Sequence, residues 1–200
     1  MAQTYAVVYD SSSRNFFIAV KNRRSFFYHT NGGRIFPPNG VAITHGPGLP
    51  ALPGGGLESP DPAIGAANEF QEETGVELRQ FHGEVWPKEW HQGSGKSEYY
   101  GVYFKFSLAN FKSIGAAAIT NLVTGVNVAR AIANGQIKSY PEIFNQYPNC
   151  PPDNELASGE IWNLDKDWAK IEALGNDENT DWFYSILLNL RNVLNGKAQS

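Results

Sequence analysis

Apolar and polar positions along the chain fall into short blocks, and these place strands on both sides of one central helix. Tyr5-Ala6-Val7-Val8-Tyr9 predicts a buried strand, and Phe16-Phe17-Ile18-Ala19-Val20 predicts its partner. The serine-rich residues 10–15 between them predict a hairpin turn. Phe26-Phe27-Tyr28 and Val41-Ala42-Ile43 read as shorter strands, separated by turns at Asn31-Gly32-Gly33 and Pro37-Pro38-Asn39-Gly40. Residues 45–56 carry too many glycines and prolines for a helix and read as a loop. A helix is expected from Asp61 to Thr74. Asp61 or Ser59 would cap its start, Pro62 suits its first turn, and Gly75 suits its left-handed end. Residues 76–86 and 98–106 predict strands, with a polar loop at 87–96. Residues 114–134 predict a helix broken near Gly125, and 141–145 a shorter one. A last strand is expected at 159–164, and closing helices at 168–173 and 181–194. In the final helix Trp182, Ile186, Leu187 and Leu190 recur at helical spacing, a stripe that reads as core packing.

This order indicates an α/β or α+β sandwich. No internal repeat or linker divides the 200 residues, which suit one domain, with 108–152 a helical insertion. Apolar residues make up 42% and charged residues 18%, a globular composition. A net charge of -4 argues against a broad grip on nucleic acid, so any phosphorylated ligand must be small and locally held. Cys150 is the only cysteine and reads as an ordinary loop residue. No secretory leader or bilayer-length apolar run is apparent, so a cytoplasmic setting without membrane contact is expected.

The central helix carries the chemistry. With Glu69 as reference, Glu73 lies about 40° to one side and Glu72 about 60° to the other. Three carboxylates on one arc repel each other, and a hard divalent cation offsets that repulsion. The preceding Gly54-Gly55-Gly56 lets backbone come close to an ion or a phosphate. A solvated acidic face presents the same residues, and the helix alone does not separate the two readings.

Residues 53–76 resemble the Nudix box. In that box a Gly is followed after five residues by Glu, and seven further on by Arg-Glu, an apolar residue, any residue, Glu-Glu, any residue, Gly and an apolar residue. Glu69-Phe70-Gln71-Glu72-Glu73-Thr74-Gly75-Val76 matches without a gap, and Gly54 has the required spacing. Asn68 stands where the family has arginine, and Pro60 where it has its first glutamate, with Glu58 and Asp61 close by.

The resemblance implies an α/β/α sandwich with a mixed sheet, and a hydrolase that cleaves a diphosphate linkage by attack of water at phosphorus. It implies Mg²⁺ or Mn²⁺ held by Glu69 and Glu73, with Glu72 a ligand or the base, and a backbone carbonyl near Gly54 or Gly55. Gly55 and Gly56 would approach the substrate, a small nucleotide-like compound such as ADP-ribose, a dinucleotide or an NTP. Lys21 and Arg23 could meet its phosphates. Some members take a base from the loop before a late strand, and residues 153–162 resemble that region, which makes Glu155 a candidate. Dimers are common in the family, so a homodimer is one expectation. A module that keeps the fold and binds a nucleotide or protein without turnover is the alternative. Trp86, Trp90, Tyr99 and Tyr100 could form an aromatic wall for a base.

Overall fold

A computed structural model describes residues 2–94 and 98–197. The first strands are β1 (Gln3–Asp10) and β2 (Asn15–Lys21), followed by β3 (Arg24–Ser25), β4 (Phe27–Tyr28), β5 (Arg34–Ile35) and β6 (Val41–Ala42). Next come β7 (Pro50–Ala51), β8 (Gly54–Gly56), α1 (Pro62–Thr74), β9 (Gly83–Val85), β10 (Trp90–Gln92) and β11 (Tyr99–Phe106). The chain continues through α2 (Leu108–Ala133), α3 (Tyr140–Gln146), β12 (Leu156–Asn163), α4 (Trp168–Leu174) and α5 (Asp181–Leu194).

The main sheet has the order β10-β11-β1-β2-β12, with β7 on β2, β8 on β1 and β9 on β11. β1 and β11 run parallel while the other pairs are antiparallel, so the sheet is mixed. Because side chains alternate along a strand, Tyr5, Val7 and Tyr9 of β1 enter one core with Phe183, Ile186, Leu187 and Leu190 of α5. Ala6 and Val8 enter the other, with Phe70 of α1 and Phe111, Ile114, Ala118 and Leu122 of α2. The sheet is thus covered on both faces, which explains why β1 reads as an unbroken apolar run. The hairpin turn forms as expected: Asp10 Oδ1 accepts from Ser12 Oγ and from the Ser13 N–H.

Several elements differ from the sequence expectation. Residues 76–86 do not form one strand. A 3₁₀ turn occupies Leu78–Gln80, with Val76 and Leu78 buried, and only Gly83–Val85 pairs with β11. Pro87 follows closely and has no N–H to extend the edge. The 87–96 loop contains β10, paired with residues 99–101, while Gly95 and Lys96 of that loop lie outside the described residues. α2 starts at Leu108, capped by Ser107 Oγ accepting from the Asn110 N–H, and passes Gly125 unbroken. The helix there packs on Pro151, which a Cβ at Gly125 would meet in ordinary van der Waals contact at 3.5 Å. By length and composition α2 could also cross a membrane, yet Phe111, Ile114, Ala118 and Leu122 are packed into the core. Its C-terminal half joins α3 in a third cluster of Phe27, Val128, Ile132, Tyr140 and Ile143.

Candidate active site

α1 is placed by its ends. Asp61 accepts from the Ala63 N–H at 2.8 Å, and Gly75, at φ +71°, closes the helix by donating to Gln71 O. Phe70 and Ala66 anchor its apolar face in the core. The acidic face then turns towards β8. Residues 54–56, expected as a loop, form a strand antiparallel to β1, and only glycine fits at its first position: a Cβ on Gly54 would lie 2.2 Å from Thr4 O.

Glu73 is 3% exposed, and its Oε2 accepts from the Gly54 N–H at 2.7 Å. The Glu69 carboxylate lies across Gly55, where a Cβ would come within 2.6 Å of its Oε2. Gly56 continues the strand opposite Gln3. Asp153 reaches the same region from the loop before β12. Its N–H donates to Glu72 O at 3.0 Å, and its carboxylate accepts from the His29 N–H. Asn154, fully buried, stitches this loop down: its N–H donates to Phe27 O, and its Oδ1 accepts from the Phe26 N–H. Glu155 follows, its carbonyl accepting from the Asn22 N–H at 2.7 Å.

Mutual repulsion and burial mark these groups as one electrostatic unit. Burial pushes Glu69 up to about 8, and Glu72, Asp153, Glu155 and Glu58 add to it. Burial likewise raises Asp153 to about 7, opposed by the His29 N–H and reinforced by Glu72 and Glu155. Glu73 is held well above the usual carboxylate range by burial first, then by Glu155 and Glu69, while Lys21 and the Gly54 N–H oppose. Glu72 is raised by burial and Glu58, with His29 opposing. Each group holds its proton more tightly because a neighbouring anion is close and water is not.

Among the described residues no three His, Cys, Asp or Glu side chains are gathered tightly enough to ligate one ion as they stand. The donor set nonetheless fits a hard cation by type: oxygen only, partly dehydrated and mutually repelling. Mg²⁺ commonly takes one or two carboxylates and completes its shell with waters and substrate phosphate.

Lys21 and Glu155 line a cavity of about 250 Å³ with Tyr5, Gly54, Gly55 and Trp182. Arg23 is not brought there; it is exposed and lies along Gly48. Of the expected aromatic wall, Trp86 lies under Lys105 and Tyr100 stacks on His91. Tyr99 alone connects to the cavity, through Trp182 at 6.5 Å between ring centres, while Trp90 packs on Tyr99. Sequence reasoning missed two residues. Asp153 was passed over for its neighbour Glu155. Trp182 was assigned to core packing because it sits on the apolar stripe of α5, although it also faces the cavity. Cys150 is buried, with burial pushing its thiol up to about 12.

No family model matches the chain, and no curated protein matches it. Among solved structures it is similar to the MutT protein of Methanosarcina mazei Go1, at 13% identity and a TM-score of 0.45, over 99% of this chain and 96% of that one. It is also similar to a Nudix hydrolase from Nitrosomonas europaea, at 14% identity and a TM-score of 0.43, over 92% and 86%. Both likenesses are loose, and the chemistry of the acidic cluster stands on its own side chains.

Proposed function

We propose that this chain is a metal-dependent hydrolase of the Nudix type, cleaving the diphosphate linkage of a nucleoside diphosphate derivative. One observation carries the reading. The motif carboxylates Glu69, Glu72 and Glu73 share one electrostatic cluster with Asp153 and Glu155, beside a glycine strand and a cavity containing Lys21. Glu69, Glu72 and Glu73 are the residues that would hold Mg²⁺ or Mn²⁺. When bound, such an ion lowers the pKa of water and offsets charge on the leaving phosphate.

The chain's own residues divide the remaining work. Gly54 holds Glu73 in place through its N–H. Gly55 leaves room for Glu69, and Lys21 faces the cavity where phosphate would lie. The Glu155 carboxylate forms no hydrogen bond among the described residues and lines the cavity, so it is the proposed acceptor of the water proton. The Asp153 carboxylate is already engaged by the His29 N–H and is assigned to positioning.

A binding module without turnover is the second reading. Asn68 favours it: the nearby Arg79 guanidinium donates to Asn68 Oδ1 on the exposed side of α1. The two are separated by incubation with Mg²⁺ or Mn²⁺ and a panel of ADP-ribose, NADH, dinucleoside polyphosphates, nucleotide sugars and NTPs. The hydrolase releases monophosphate or phosphate only with metal, and Glu155→Gln slows release by about 10²-fold or more. Nucleotide binding with no release under any metal supports the module.

A further inference from the structure

The main sheet ends in two unlike borders. On one side lie β9 and β10, three residues each, with Pro87 between them and Glu84 paired to Lys105. Short strands, charge and proline are what keep an edge from pairing with another chain. On the other side lies β12, eight residues long, without lysine, arginine or proline. Its ladder to β2 is irregular only between Leu156 and Ser158. Among the described residues, no main-chain group outside β2 bonds to the backbone from Ser158 to Trp162. Asn163 shows which way the free groups face: its N–H and C=O turn away from β2 to Asp167. Alternate residues of a strand share that direction, so Gly159 and Ile161 point theirs outward too.

The helix above this edge lacks charge. Gly115 and Ile119 of α2 rest on β12: a Cβ on Gly115 would lie 3.0 Å from the Ile161 side chain, and one on Gly159 would lie 3.1 Å from that of Ile119. Val123 follows Ile119 one turn on, along the same flank. From Ser113 to Ala129 the helix has no ionisable side chain, although Ser113, Ala116, Thr120, Val123 and Asn127 are exposed. A helix face covered by water is ordinarily charged. Val123 is 56% exposed and Ile161 is 40% exposed, so two large apolar side chains stand beside unpaired main chain.

We infer that the occupant of this edge is a second copy of the chain, with β12 pairing antiparallel to its counterpart about a two-fold axis at Gly159. A self-pairing strand must complement itself, and this decides the register. An axis at Glu160 sets two carboxylates directly opposite each other, which is unfavourable. An axis at Ile161 sets Gly159 against Asn163, whose main chain is committed to Asp167. An axis at Gly159 sets Glu160 against the Ser158 hydroxyl, and Ile161 against the small Ala157. Glu160 Oε2 already accepts from Trp162 Nε1, which leaves Oε1 to accept from that hydroxyl. Gly159 and its copy then exchange two main-chain hydrogen bonds. Strands pair at about 4.8 Å and a helix covers about two of them, so the two α2 helices approach to about 10 Å, an ordinary packing distance. Ile119 and Val123 of both copies meet between them. One strand edge and one helix flank are fewer than the roughly 20–30 residues a side of a standard interface, so the dimer should be reversible, with a Kd of about 1–50 µM. The hydrolase reading plays no part in this inference.

Sedimentation equilibrium of the full chain between about 1 and 100 µM tests it, and should show a monomer giving way to a dimer. Val123→Lys and Ile161→Lys should each weaken the dimer about tenfold or more, because each puts a charge into the contact. Val123 is exposed, so its variant decides the matter even if Ile161→Lys does not fold. A mixture of Ser158→Cys and Glu160→Cys chains should cross-link between copies under mild oxidation, faster than either variant alone, since opposite residues bring their Cα atoms to about 4.5–5.5 Å. Cys150 is buried and does not compete. A chain that stays monomeric at about 100 µM overturns the proposal and leaves the edge to a different protein. A dimer untouched by both lysines, or a Glu160→Cys variant that cross-links by itself as fast as the mixture, overturns it as well.

Discussion

Glu73 combines a structural duty with the metal-binding one proposed for it, and two substitutions separate them. Its Oε2 satisfies the N–H of Gly54, which otherwise has no acceptor in that strand. Glu73→Ala removes the acceptor and opens a void, and should cost about 2–4 kcal/mol in chemical denaturation. Glu73→Gln keeps a carbonyl for the N–H and removes the charge. Its stability should stay within about 1 kcal/mol, because loss of repulsion from Glu69 and Glu155 offsets a weaker hydrogen bond. Metal-dependent turnover should nevertheless fall by about 10²-fold or more. A Gln variant with full turnover would remove Glu73 from the metal site, and one as unstable as the Ala variant would make its role structural.

At the scale of elements, β8 shows why three successive glycines are not equivalent. At Gly54 a Cβ would strike the backbone carbonyl of Thr4, which belongs to a fully paired β1 and has nowhere to move. Gly54→Ala should therefore part β8 from β1 and destabilise the fold by about 3 kcal/mol. At Gly55 the added atom meets only the free end of Glu69, a side chain that can swing away. Gly55→Ala should lower metal affinity about tenfold, read by Mn²⁺ titration, while the thermal midpoint shifts by less than about 3 °C. Comparable losses of stability in both variants would show that Glu69 is not free to yield.

The same elements show what the sequence could reveal. α1 was legible because its stop and start signals are local: Asp61, Pro62 and Gly75 act within one turn of themselves. β8 was not, because a glycine strand carries no side-chain pattern and exists only through its partner β1. The start of α2 at Leu108 lies six residues before the expected Ile114, since Ser107 supplies a cap that the apolar periodicity does not show. Within the site, the acids on α1 share a face by spacing alone. Asp153 arrives across the fold, held by His29 and Glu72, and no local pattern announces such a contact.

For the whole molecule, the acidic cluster should set how stability responds to pH and, on the proposed function, to metal. Glu69 stands near 8 and Asp153 near 7 when folded, against ordinary values of 4.5 and 3.8. A folded-state value above the unfolded one means that the native protein holds the extra proton. The contribution is complete below about pH 4 and is lost as pH rises through about 7 to 8. Without metal, the midpoint of thermal unfolding should therefore fall between about pH 5.5 and pH 8.5, by several degrees. A divalent cation needs these carboxylates ionised, so its binding strengthens over the same interval. Added Mg²⁺ at about 10 mM should leave the midpoint nearly unchanged at about pH 5.5 and raise it by about 4 °C at about pH 8.5. Glu69→Gln should flatten the metal-free profile and reduce the Mg²⁺ increment, because the group that holds the proton is also the one proposed as a ligand. Thermal melts in chelator and in Mg²⁺ across this range check the coupling. Parallel profiles with and without the ion would show that the cluster titrates without holding a metal.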